Sequence, residues 1–448
     1  MYSLVVKIFW VVAMDREENK VDVIVVGGGP AGISCAVTVA RAGKKVVLIE
    51  RGKFCGSKNV FGGAIYAQPT REIFPDFEKN APLERKTVEH KYALLGQDDA
   101  TVISYKKKHE DAVSYSVVRG KFDRWMAEEA EKEGVILVEE TVVKDLIVKD
   151  GCVVGVRTEL EDYYCDITVL ADGVNSLLAK QIGLRSDLKP QDVALSVKEV
   201  IKLSPEVINE RFHLNSDEGC IYEIFGGPML GMLGLGFMYT NKESVSIGLG
   251  ITLSELIENG LRPYELLDKM KQHPEIAPLI KDGELVEYSA HLIPEGGFKK
   301  VPVVFGAGVM VCGDAAMFVN NLHWEGTNLA MISGKLAGET AVIALGRRDF
   351  SEHALSKYQQ ELEDSFIMKD LRTYKDLMSG IGERASEFLG YYPEKINSFF
   401  EMFTSVDSVP KREKYRSFIK AFLSERKLSE LFKDFWSVVK LLWSILIK

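Results

Sequence analysis

The passage from Val21 to Gly32 constrains this chain more than any other stretch. A short β-branched run, Val21 to Val26, enters Gly27-Gly28-Gly29-Pro30-Ala31-Gly32 and continues into an alanine-rich segment. Such a run without polar alternation marks a strand buried on both faces of a parallel sheet. In that context the G-x-G-x-x-G spacing has a mechanical meaning. Gly27 permits the tight turn, Gly29 lets the backbone approach a pyrophosphate, and Gly32 lets the helix pack close to the sheet. The helix N-terminus adds free N–H groups and the positive end of a dipole. A second strand, Lys45 to Ile49, ends in Glu50, where an acid binds ribose hydroxyls. Strand, turn, helix, strand and acid together predict a βαβ unit that binds a dinucleotide.

Two distant segments return to the same unit. Ile167-Thr168-Val169-Leu170-Ala171-Asp172-Gly173 is an apolar strand ending in an acid and a glycine, and Val309-Met310-Val311-Cys312-Gly313-Asp314 is another. The expected fold is α/β: a discontinuous Rossmann-like domain from 20–75, 119–185 and 298–350, a β-rich substrate domain from 76–118 and 186–297, and a helical region over 351–448. A β-meander is expected between 135 and 170.

Composition narrows the function classes. The charge of −9 comes from interspersed acids and bases without a basic run, which argues against nucleic acid as a partner. The six cysteines, at 35, 55, 152, 165, 220 and 312, are too widely spaced for a short metal-ligand cluster. So few in a long chain favour a reducing cytosol over a secreted disulfide framework. Residues 1–13 are apolar but broken by Lys7 and too short to span a bilayer; they read as a packed strand or as an upstream start, with Met14 beginning a shorter chain. At the other end Leu428, Leu431, Phe432, Phe435, Val439, Leu442, Trp443 and Leu446 recur at helical spacing. That amphipathic helix is expected to pack on the core or a partner in preference to lying on a membrane surface, and it is too short and too charged to cross one.

The glycine fingerprint and the two acid–glycine strand ends resemble the flavoprotein hydroxylase and reductase superfamily. Further segments point to one branch of it: Glu50 to Gly63, KFDRWMAEEA at 121–130, ALSVKEVIKLSPEVINERF at 194–212, HPEIAPLIKDGELVEYSAHLIPEGG at 273–297 and EGTNLAMISGKLAGETA at 325–341. Over residues 20 to about 375 the chain is similar to the FixC-like and electron-transfer-flavoprotein:quinone oxidoreductase family. The resemblance implies FAD as cofactor, the alpha and beta subunits of an electron transfer flavoprotein as donor, and a quinone as acceptor. It also implies a separate ferredoxin-like iron–sulfur subunit of the FixX type, in a complex that in some systems bifurcates electrons. A cytoplasmic protein with peripheral contact to the inner face of the membrane fits that setting. The alternative within the superfamily is a geranylgeranyl-type reductase or an FAD monooxygenase.

The site residues follow from motif and resemblance together. Gly27, Gly29, Gly32, Glu50, Arg51, Asp172, Gly173, Gly313 and Asp314 are expected to hold FAD, with Val142 beside them. Gly62 and Gly63 are expected to border the flavin ring, with Lys58 and Asn59 on the same loop, Lys58 being either solvated or functional. Arg119 is a candidate for the phosphates. Gly326, Thr327 and Asn328 open a helix whose N–H groups and dipole would stabilise negative charge on reduced flavin, Thr327 serving either that purpose or as a helix cap. Gly234, Leu235, Gly236 and Tyr239 are the quinone candidates, although Leu235 fills a position where relatives often have glycine. Tyr239 or His291 is the expected proton source. Cys55 stands where many relatives have proline, and reads as a small hydrophobe in preference to a redox thiol.

Overall fold

The structure is a computed structural model that describes residues 20–58, 63–111, 113–375, 382 and 384–447. Residues 1–13, Asn59 and Gly62 lie outside the described residues. Among the described residues the strands form an eight-stranded and a nine-stranded sheet.

In the first sheet the strand order is Phe305–Gly306, Val309–Val311, Asp162–Leu170, Val21–Val26, Val46–Ile49 and Ile136–Val138. From Val309–Val311 to Ile136–Val138 the pairing is parallel throughout. Val23, Ile24 and Val25 are fully buried, as the unalternating β-branched run requires. The expected meander is present as the hairpin Val143–Lys149 and Cys152–Thr158, which pairs with the first residues of Asp162–Leu170.

Two helices cover this sheet in close contact, Pro30–Arg41 and Thr327–Arg347. Small residues make that contact possible: a Cβ on Gly334 would lie 2.0 Å from the Ala31 carbonyl oxygen, and one on Gly338 would lie 2.8 Å from Thr38 Cβ. Among the described residues Thr327–Arg347 is the one helix long and apolar enough to cross a membrane, yet most of it is buried inside the protein.

The second sheet runs Glu284–Pro294, Val193–Lys202, Ser244–Thr252, Gly234–Thr240, Glu218–Gly226, Lys86–Leu95, Ser114–Ser116 and Ala64–Tyr66. Ala64–Tyr66, expected with the nucleotide-binding part, is instead hydrogen-bonded into this sheet through Ser114–Ser116. Side-chain alternation splits the sheet into two faces. Cys220, Tyr222, Ile224, Met238, Ile247, Leu249 and Ile251 point to a core shared with Ile208, Phe212, Leu266 and Met270. The intervening residues point at the carboxyl ends of the first sheet's parallel strands. Fully buried Arg85 ties the second sheet to its loops, donating to the Asn241 carbonyl at 2.7 Å and to Asn209 Oδ1 at 2.6 Å.

The tail forms the helices Tyr392–Thr404, Lys411–Glu425 and Leu428–Ile447. Asp434 is what the last of these turns inward: it is 2% exposed, and Arg384, Arg426 and the Tyr392 hydroxyl all donate to it. This ion cluster directs the apolar face outward. Phe432, Phe435 and Trp443 are 64%, 62% and 63% exposed, so the expected packing of these side chains on the chain's own core is not found.

Candidate functional site

The strand ends and the second sheet enclose a cavity of about 580 Å³. Ligands of open α/β sheets bind in this position, outside the carboxyl ends of the strands. Of the residues expected from sequence, Gly27, Gly29, Glu50, Arg51, Lys58, Arg119, Val142, Asp172, Gly173, Asp314, Gly326, Thr327, Gly234, Leu235 and Tyr239 line it. Segments more than 250 residues apart in the chain thus converge on one space.

The fingerprint works through backbone geometry. Gly27 has φ +109°, and a Cβ there would lie 2.2 Å from the Ala171 carbonyl oxygen. Gly32 stands one layer behind the cavity, where a Cβ would meet the Gly27 carbonyl oxygen at 1.9 Å. Gly313 is likewise set back from the wall, against the Ala31 Cβ. Glu50 is fixed at the rim: one carboxylate oxygen accepts from the Gly28 N–H at 2.7 Å and the other from the Gly52 N–H at 2.5 Å. Cys55 packs its sulfur where a Cβ on Gly28 would go, and burial together with Glu50 pushes its thiol well above the ordinary range. It is the small hydrophobe expected, not an activated thiol.

The acids at the other strand ends are desolvated. Burial raises Asp172, against hydrogen bonds from the Ser176 hydroxyl and the Leu178 N–H. Burial pushes Asp314 up to about 6, with Arg119 and Arg185 pulling the other way. Arg119 lines the cavity as expected, but its fork is engaged by Asp123 one helical turn away, with both N···O distances 2.8 Å. Its remaining Nη1 lies 3.5 Å from the Thr327 hydroxyl.

Both helices begin at the cavity without a side-chain cap, one at Gly29 and the other at Gly326. Thr327 therefore does not cap its helix, and its hydroxyl faces the cavity instead. Asn328 departs from expectation: it does not line the cavity, its Nδ2 donates to Glu325 at 3.0 Å, and its Oδ1 is buried without a partner. Gly63 is also set back, since a Cβ there would lie 2.7 Å from Cδ2 of the Tyr239 ring. Gly236 lies on the opposite face of its strand, against Met270 and Ile224, because alternation that points Leu235 and Phe237 inward must point Gly236 outward.

Beside Leu235, Tyr239 and His291, which the sequence singled out, the second sheet supplies inward side chains that it did not disclose. Ile221, Glu223 and Phe225 form one inward row, Leu235, Phe237 and Tyr239 another, and His291, Ile293 and Glu295 a third, with Tyr66 and His90 beside them. The strand CIYEIFG is apolar on both faces, which hides its period, and the lone acid Glu223 was the available signal. Burial and the charges of Arg119 and Arg51 hold His291 below the ordinary histidine range, which disfavours its imidazolium form. His323 also lines the cavity, with its Nε2 3.2 Å from the Tyr374 hydroxyl.

The glycine turn and both helix starts line this cavity, and together they suit a phosphate-bearing ligand. The glycine turn and two uncapped helix N-termini supply the N–H donors, and Glu50 the ribose-side acceptor, that FAD needs. These features define an FAD-dependent oxidoreductase, and residues 22–174 match the family of FAD dependent oxidoreductases. Residues 193–293 match the ubiquinone-binding region of ETF-QO, and 378–443 match the C-terminal domain of the ETF-QO/FixC family. The chain is 42% identical to Protein FixC of Bradyrhizobium diazoefficiens, covering 93% of this chain and 98% of that protein. It is 42% identical to Protein FixC of Azotobacter vinelandii, over 94% and 100%. With a probable electron transfer flavoprotein-quinone oxidoreductase of Escherichia coli, YdiS, it shares 38% identity over 93% and 98%. This chain belongs to the ETF-QO/FixC family. Among solved structures, a geranylgeranyl bacteriochlorophyll reductase-like protein of Thermoplasma acidophilum shares the fold, with TM-score 0.69 and 22% identity over 90% of this chain and 96% of that one.

Proposed function

We propose that this chain accepts electrons from the alpha and beta subunits of an electron transfer flavoprotein and passes them through FAD to a quinone. The observation that carries this reading is the continuity of the cavity. It runs from the glycine fingerprint to an apolar stretch, which we take as its mouth, lined by Phe225, Leu233, Leu235, Ile293, Trp324 and Leu389, several of them within the region that matches ubiquinone-binding relatives. An apolar mouth favours an isoprenoid quinone and excludes water from the ring beyond it.

Bound FAD supplies the capacity to take up and release electrons singly or in pairs. The chain's own residues set the conditions. The first-turn N–H groups of Thr327–Arg347 and the dipole behind them favour negative charge at the ring, which raises its reduction potential. The Thr327 hydroxyl, held next to Arg119, adds a donor on that side. Gly27, Gly29 and Glu50 hold the nucleotide end. Lys58 sits at the same wall as a positive charge.

The wide spacing of the cysteines supports placing the iron–sulfur carrier on a separate ferredoxin-like subunit of the FixX type, and any electron bifurcation in the donor complex. The outward apolar face of Leu428–Ile447 supports peripheral contact with the inner face of the membrane, because the tail packs beside the mouth: Leu389 lines the cavity and Pro393 touches Gly226. The test is anaerobic reconstitution with an electron transfer flavoprotein. The visible absorption of bound FAD bleaches on donor addition and returns on adding quinone. Failure to bleach with a competent donor removes the donor assignment, and failure to return removes the quinone.

A further inference from the structure

One acid on the inward face of the second sheet has no part in the chemistry above. Glu223 lies in Glu218–Gly226 between the inward-facing Ile221 and Phe225 and lines the cavity. It is in register with Tyr92 on one neighbouring strand and Phe237 on the other. Its Oε2 is buried and meets no hydrogen-bond partner. An unmatched carboxyl oxygen in an apolar row is destabilising, and an apolar residue would fill the row better. Glu223 lines the cavity beside the apolar Phe225, Leu235 and Phe237, so a ligand bound there with a complementary polar atom would meet its carboxyl group.

We propose that Glu223 donates a proton to a quinone carbonyl oxygen, and that the Tyr92 hydroxyl returns the proton to it from solvent. The assignment rests on the quinone reading given above. The quinone gains two electrons and one proton at the expense of reduced flavin, and its second proton from Glu223. Two O–H bonds form on the quinone oxygens while one N–H bond breaks on the reduced flavin and one O–H bond on Glu223, and the resulting carboxylate recovers its proton from water through Tyr92, which is 38% exposed.

The surroundings suit the role. Burial pushes Glu223 up to about 7, with a hydrogen bond from Tyr92 pulling the other way, so the carboxyl holds a proton near neutrality. The titratable groups facing it are Tyr92 and His90 from Lys86–Leu95, Tyr239 from Gly234–Thr240 and Tyr66 from Ala64–Tyr66, with Glu325 beyond Tyr66. Burial and Lys107 hold His90 below the ordinary histidine range, and burial raises Tyr66, Tyr239 and Tyr92; of the three tyrosines only Tyr92 is exposed, so it can take up a proton from water as it gives one. Glu295, the other strongly raised carboxyl, follows a strand four places away in the sheet, about 19 Å at ordinary strand spacing.

The experiment compares the FAD-loaded wild type with E223Q, reduced anaerobically, against a short-chain soluble ubiquinone and against ferricenium, which takes electrons without protons. For E223Q the quinone rate at pH 7 should fall roughly 100-fold, the scale of a lost general acid, with the ferricenium rate unchanged. In the wild type the quinone rate should fall as pH rises through the Glu223 titration, and E223Q should lack that step. Infrared difference spectra of the flavin-free proteins, wild type minus E223Q, should show a protonated carboxyl band at pH 6 that disappears by about pH 9. Equal quinone rates in the two proteins, or no such band, overturn the Glu223 assignment and leave the quinone reading standing. A wild type that ferricenium oxidises and quinone does not overturns the quinone reading and this assignment with it. If E223Q fails to hold FAD, the wild-type pH profile decides, a flat one overturning the proposal, and Y92F should slow quinone reduction several-fold.

Discussion

The two walls of the cavity are built on different principles. The first-sheet wall acts through backbone: a glycine turn, two helix starts and an acid held by main-chain N–H groups. The second-sheet wall acts through side chains, one from every second position on strands that lie far apart in sequence. A backbone wall tolerates almost no added atom, because its groups cannot rotate away. A side-chain wall can exchange one apolar residue for another with only a change in ligand fit. The first should therefore control whether the cofactor is retained, and the second which molecule meets it.

The largest test of that contrast is Gly27→Ala. At φ +109° and 2.2 Å from the Ala171 carbonyl oxygen, the new methyl group must displace the turn. A loss of about 3 kcal/mol or more is expected, with FAD absent from the purified protein by absorption. Next is Glu50→Ala, which leaves the Gly28 and Gly52 N–H groups without their carboxylate. Binding of FAD should weaken by about 1–3 kcal/mol, roughly 5- to 150-fold, measured by flavin fluorescence titration. If FAD content is unchanged in both variants, the backbone wall does not govern retention.

On the opposite wall Leu235→Ala removes apolar surface at the mouth while leaving the FAD end intact. The expected result is a loss of about 1–3 kcal/mol in kcat/KM for quinone with FAD content unchanged, by steady-state kinetics and flavin absorption. Loss of FAD in this variant would erase the division between the walls.

The smallest expected effect is on pH dependence. Burial pushes Glu295 up to about 8, above its unfolded value, so the folded state binds the extra proton. Stability is then greatest below the unfolded pKa and declines as pH rises toward 8. In the flavin-free protein Glu295→Gln should blunt the fall in Tm between pH 6 and 8, by about 1–2 °C, in a calorimetric scan. A Tm that falls equally in both proteins assigns the pH dependence to other groups.

The chemistry legible in the sequence was the contiguous kind. Gly27 to Gly32, Glu50, Asp172 and Asp314 each stand at a strand end that local pattern locates, and the helix opening at Gly326 carries its own signature. Less legible were the residues whose role depends on which way a strand faces. Gly236 and Leu235 are neighbours in sequence yet point to opposite sides of the sheet, and Asn328 turns away from the cavity that Thr327 faces. Arg119 lines the cavity, but its Asp123 partner, one turn along the same helix, was not anticipated. The terminal helix was visible as amphipathic, while the direction of its apolar face was set by Asp434, Arg384 and Arg426, which lie on separate elements.

By itself, then, the sequence determined the dinucleotide unit and its returning strands, because close backbone approach requires glycine at fixed spacing and buried parallel strands require unbroken β-branched runs. Only the tertiary structure decided the second wall. Strand pairing selects one of two faces for every side chain, and the burial that raises Glu223, Glu295 and Asp314 exists only once both sheets enclose the cavity.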